Sequence, residues 1–105
     1  MKSEYEILKE ESQVIGKWKI VSTLKGWKYN ETLYIIEIYQ RDNDYFEVMK
    51  TKGETIKRLY KEGDKYHLKN KNEEYYIIQS NGNIKSYDSS GYISEGNDSK
   101  YVIIN

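Results

Sequence analysis

Along the run Val14-Ile15-Gly16-Lys17-Trp18-Lys19-Ile20-Val21-Ser22, Gly16, Trp18, Ile20, Ser22 and Leu24 fall on one side and Lys17 and Lys19 on the other. A period of two is that of a half-buried strand. Trp18 points inward, where a ring of its size plugs one end of a sheet curled on itself, and Gly16 lets backbone and ring pack closely. The same alternation predicts strands over 16–24, 32–41, 45–52, 55–62, 65–69, 74–80, 83–88 and a last one within 92–104. Ahead of them, Tyr5, Ile7 and Leu8 sit among charged neighbours, with Ser3 three residues before Glu6. That spacing predicts a short helix over 3–13 opened by a capping box.

The breaks between strands are short and contain residues that tolerate positive φ: Asp42-Asn43-Asp44, Gly53, Gly63, Lys71-Asn72, Asn81-Gly82 and Ser89-Ser90-Gly91. Sequential strands should therefore be antiparallel neighbours. The expected fold is all-β: an eight-stranded antiparallel up-and-down barrel, one domain over 1–105 with 1–13 as a helical lead-in. The inward positions are then Tyr34, Ile36 and Ile38, Phe46 with Val48, Ile56 with Arg58 and Tyr60, Tyr66 with Leu68, and Tyr76 with Ile78. In the second strand Leu33, Ile35 and Tyr39 make the opposite face apolar as well, so something should cover it, and the N-terminal helix is a candidate. The longer 25–31 connection carries Trp27 and Tyr29, placed to act as a lid, a core cap or a protein-binding knob.

Composition narrows the classes. A chain of 105 residues fits one core, and 17 basic against 17 acidic residues leave no net field to attract nucleic acid or an anionic membrane. Without cysteine there is no disulfide or thiolate metal site. Twelve tyrosines supply surface that aliphatic residues usually give, and the lack of alanine and proline beside abundant Lys, Asn, Ile and Tyr is a bias of A/T-rich codons, expected of a low-G+C bacterium or its phage. No window reads as a transmembrane span or secretory signal. A cytoplasmic location is expected if the chain is complete, and export if a signal has been removed.

With Gly16-Lys17-Trp18 opening the first strand, behind a helical lead-in and ahead of a meander of strands, the chain resembles the lipocalin-like (calycin) barrels over nearly its full length. The segment from Asn81 to Ile93 looks like the closing hairpin of small bacterial members. The resemblance implies that Gly16 and Trp18 close the barrel base, that the interior takes a small apolar molecule, and that a basic side chain, here Lys100 or Arg58, packs across the tryptophan.

Catalytic patterns are absent. His67 is the only histidine, which excludes a multi-histidine metal site, and on its strand it should point outward. Glu10-Glu11 and Glu73-Glu74 are adjacent, so their side chains diverge and cannot share a substrate atom. Glu37, inside an apolar run, reads as one partner of a rim or cross-strand ion pair. The Asp42-Asn43-Asp44 and Asp88-Ser89-Ser90-Gly91 stretches lack the calcium-loop pattern, and the glycines are too scattered for a phosphate loop. No metal or cofactor is expected. The reading is a non-enzymatic binding protein that holds a small apolar or amphipathic ligand in the barrel through Trp27, Tyr29, Tyr34, Ile36, Phe46, Arg58 and Tyr60. The alternative is an interaction module with a packed barrel, meeting a protein partner through Trp27 and Tyr29 or through the basic 50–71 flank. In that flank Lys57, Tyr60, Lys61 and Tyr66 could stack and neutralise single-stranded nucleic acid. Nucleic acid is nonetheless not the expected partner, because lysines along strand edges keep a sheet from aggregating.

Overall fold

The computed structural model describes residues 1–23, 30–69, 73–91 and 99–103. Helix α1 spans Glu4–Glu11, and Ser3 is its N-cap, its Oγ accepting from the Glu6 amide at 3.2 Å. The capping half of the predicted box is thus in place, and Glu4 and Glu6 put negative charge at the positive end of the helix dipole. The strands follow as β1 (Gln13–Thr23), β2 (Asn30–Arg41), β3 (Asp44–Lys50), β4 (Glu54–Glu62), β5 (Lys65–His67), β6 (Tyr75–Ile78), β7 (Ile84–Tyr87) and β8 (Ser99–Ile103). Each neighbouring pair is antiparallel, in the order β7-β6-β5-β4-β3-β2-β1-β8.

The sheet is curled. β1 and the β6–β7 turn lie far apart in strand order, yet the Trp18 indole Nε1–H donates to the Gly82 carbonyl at 2.8 Å. Curling gives an inner face, where Trp18, Ile36, Ile38, Leu59, Tyr66, Tyr76 and Ile84 form one core. No ladder joins β7 to β8 among the described residues.

A second core lies outside, where α1 lays Tyr5 and Leu8 on Tyr39 and Val48, with Phe46 and Ile56 at its margin. The helix therefore covers the outer face of β2 at Tyr39, one of the three residues that make that face apolar. Burial of Leu8, 3% exposed, contributes about 1.5–3 kcal/mol to that docking.

This second core corrects two face assignments. Phe46 and Val48 point outward beneath or beside the helix, while Tyr45 and Glu47 face inward. Ile56, Arg58 and Tyr60 are likewise outward, and Leu59 is the core residue of β4, paired with Tyr45. The reason lies in α1. A strand with buried surface on both sides no longer tells its core face by which alternate set is the more apolar. Tyr34, Ile36, Ile38, Tyr66, Leu68, Tyr76 and Ile78 pack on the inner core as expected. Trp27 and Tyr29 lie outside the described residues.

Candidate functional site

The base of the inner face is built around Trp18, which is 1% exposed. Its ring lies over Gly16, where a Cβ would come within 2.6 Å of Cζ2. Only glycine leaves room for the plug. Gly82, at φ +91, adopts a conformation that costs a non-glycine residue energy, and its carbonyl takes the indole hydrogen. Arg58 does not pack across this tryptophan: it bridges Asp44 Oδ1 at 2.7 Å and lies over the Tyr60 ring on the outer surface.

Further along the inner face, β3 delivers a carboxylate into the core. Glu47 is 1% exposed, paired in register with Ile38 on one side and Lys57 on the other. Burial raises its carboxyl above the ordinary value, more than the Tyr76 hydroxyl and the Lys57 charge pull it down, and Glu74 adds to the rise. Its Oε2 has no hydrogen-bond partner among the described residues. A buried oxygen left unpaired costs roughly 1–3 kcal/mol, so this position is destabilising unless something supplies a donor. Around it Tyr45 and Tyr66 meet edge to face at 5.6 Å, and burial raises the Tyr66 hydroxyl pKa.

Glu37 on the outer face is the opposite case. The hydroxyls of Tyr5 and Tyr39 donate to its Oε1 at 2.6 and 2.8 Å, and Lys17 and Lys50 lie 3.7 and 3.9 Å from Oε2. Burial pushes this carboxyl up, but the two phenols and two lysines outweigh it and hold it below the ordinary value. Tyr39 is raised far above the usual phenol, first by burial and then by its bond to Glu37. The cross-strand ion pair expected of Glu37 is present in Lys17, its register partner on β1. Its main work is to fasten α1 to the sheet through Tyr5.

The residues nominated for ligand binding do not share one site. Tyr34 and Ile36 belong to the inner core, Phe46 to the outer one beneath the helix, and Arg58 and Tyr60 to the outer surface of β4. Glu47 and Tyr45 were missed because a charged residue between Phe46 and Val48 looks like the solvent side of a strand. Nothing in the local pattern says otherwise.

Among the described residues, two clefts lie outside the inner face. One, of about 230 Å³, runs beside α1 between Glu4, Ile7, Leu8, Arg41, Phe46 and Ile56. The other, of about 240 Å³, is bounded by Lys65, His67, Lys69, Glu73, Tyr75 and Ser89. His67 does lie on the outer side, but it is half-buried against the Tyr75 ring, with centroids 5.4 Å apart. No grouping of three or more metal-ligating side chains occurs among the described residues, and no described helix is long and apolar enough to cross a membrane. No family model, curated protein or solved structure matches the chain at a significant level.

Proposed function

We propose that the protein is a non-enzymatic binder of a small amphipathic molecule, held on the inner face of the curled sheet with its polar end at Glu47. The observation that carries this reading is the unpartnered Glu47 Oε2, 1% exposed among aromatic and aliphatic side chains. A ligand hydroxyl or amine would satisfy that oxygen, and an apolar tail would lie along the inner core, where Tyr34, Ile36, Tyr45 and Tyr66 sit. A fatty acid would bring a second carboxylate beside a buried one, which is disfavoured. Closure of the sheet into an eight-stranded lipocalin-like barrel belongs to the same proposal. Its support is the consecutive antiparallel order from β1 to β7 and the return of β8 to β1.

The test uses the apolar dye N-phenyl-1-naphthylamine. One saturable site is expected, with dodecylamine or dodecanol displacing the dye at lower concentration than dodecanoate, and with that preference lost in Glu47→Gln. No saturable binding would refute the reading, as would equal displacement by all three. The packed interaction module would then lead, a reading favoured by Trp18, Ile36, Ile38, Leu59 and Ile84, each 1% exposed or less in the inner core.

A further inference from the structure

Strands β4 to β7 carry a second feature on their outer surface, separate from the inner face. Four aromatic residues are in register across four strands: Tyr60 opposite His67, His67 opposite Tyr75, and Tyr75 opposite Tyr87. The His67 and Tyr75 centroids are 5.4 Å apart, and Tyr75 and Tyr87 stack at 5.5 Å with an interplanar angle of 18°. Tyr60 at one end is 43% exposed, His67 and Tyr87 are half-buried, and Tyr75 between them is buried at 9%.

Cations flank this row on both sides. Two residues away along the strands, the next row runs Glu62, Lys65, Ile77, Lys85. On the other side are Arg58 and Lys69, both over the Tyr60 ring at 5.1 and 5.6 Å, while Lys65 lies 5.0 Å from the Tyr75 centroid. Arg58 is held by Asp44, which leaves Lys65, Lys69 and Lys85 as exposed cations against Glu62 and Glu73. The cleft of about 240 Å³ opens on this surface between Lys65, His67, Lys69, Glu73, Tyr75 and Ser89, and His67 Nε2 in its wall lies 3.8 Å from Glu62 Oε2, too far for a hydrogen bond.

From this juxtaposition of the exposed Tyr60 ring, at the end of an aromatic row, with lysines on either side, we infer that the outer surface of β4–β7 binds single-stranded nucleic acid, a base against Tyr60 and phosphates against Lys65, Lys69 and Lys85. Stacking needs only a base's flat face, so the contact tolerates any sequence, and duplex DNA, whose bases are already stacked on each other, is disfavoured. The face differs from the one the linear sequence suggests. Lys57, Lys61 and Tyr66 belong with the inner side, Lys57 opposite Glu47 and Lys61 over the buried Tyr66 ring. An acidic polypeptide would meet the lysines but leave the exposed Tyr60 ring without a stacking partner.

The experiment is fluorescence anisotropy with a labelled oligothymidylate of about 12 nucleotides, within the range a small single-strand site covers. Three phosphate contacts on a single strand predict a log–log salt slope near −2, so that binding weakens about 20-fold between 50 and 200 mM salt. Lys65→Gln with Lys69→Gln should cut that dependence to about 3-fold. Tyr60→Ala should weaken binding about 5-fold or more. Lys57→Gln with Lys61→Gln should change nothing, and circular dichroism reports the fold of each variant. The inference is overturned if no saturable binding occurs at 50 mM salt, or if the Lys65/Lys69 variant keeps the full slope. It is equally overturned if polyglutamate, inorganic phosphate or a single mononucleotide binds as tightly as the oligomer.

Discussion

Replacing Gly16 by alanine should have an effect that depends on whether Trp18 is present. The new Cβ would lie 2.6 Å from Trp18 Cζ2, well inside the ~3.5–4.0 Å at which carbons attract. The ring cannot swing away freely, because it is 1% exposed and its Nε1–H is bonded to Gly82. Gly16→Ala should therefore cost about 1–3 kcal/mol as overpacking. Trp18→Ala alone removes a buried indole and leaves a cavity, at about 3–5 kcal/mol. In the double variant the obstruction is gone and the alanine methyl occupies part of the vacated space. Its loss should stay at about 3–5 kcal/mol against roughly 4–8 for the summed singles, a coupling of about 1–3. Urea unfolding measures this: with m about 1.5 kcal/mol/M, the midpoint falls by about 1–2 M for Gly16→Ala and about 2–3 M for Trp18→Ala. Additive losses would refute the contact between residue 16 and the ring. A harmless Trp18→Ala would refute its role as the plug.

Glu37 is held below its ordinary 4.5, so the stability it confers is complete above that pH and lost as pH falls through its lower folded value. Tyr5→Phe, which removes a bond to this carboxylate, should cost about 1.5–3 kcal/mol near neutral pH and much less once Glu37 is protonated, as urea midpoints from pH 7 to 3 would show. Glu47 has the reverse sign: its raised folded value means a cost that begins as pH rises above 4.5 and is complete above the folded value. Glu47→Gln should therefore gain on the parent protein between pH 4 and 7, and a difference that does not vary with pH would refute the buried charge. Leu8→Ala, 3% exposed beneath the helix, should lower stability by about 2–5 kcal/mol, and Ser3→Ala by about 1, both readable from chemical denaturation.

What could be read from the sequence was whatever a single strand states about itself. Gly16 and Trp18 announce a close approach because no other residue pair needs a missing Cβ two places from an indole, and strand ends follow from turn residues such as Asp42, at φ +57, and Gly63, at φ +61. Faces were legible where only one side is buried, as in β5, with Tyr66 in and Lys65 out. They were not legible in β3, because α1 buries Val48 from outside while the inner core buries Glu47, so both alternate sets end in apolar surroundings. The β4 assignment failed with it, since Leu59 takes its face from its partner Tyr45. The outer aromatic row could not be seen in one strand at all. It exists only once register sets Tyr60, His67, Tyr75 and Tyr87 side by side.

The two buried carboxylates explain why the inner face, and not the helix-covered one, is the better place to look for a ligand. Glu37 is at least as buried from bulk water as a functional group would be, yet two phenols and two lysines satisfy it, and the return is local: helix α1 is fixed to β2. Removing one partner there damages the fold, as expected of a saturated network. Glu47 receives a single phenol and leaves an oxygen bare, without a compensating element docked through it. An apolar residue would fill the same space in the core at lower cost, because a buried carboxyl with one oxygen unpaired is costly whether it is neutral or ionised. A fold of 105 residues has only about 5–15 kcal/mol of stability from which to bear that cost. The position makes physical sense if a bound molecule supplies the missing donor, since occupancy then restores the stability that the empty protein lacks.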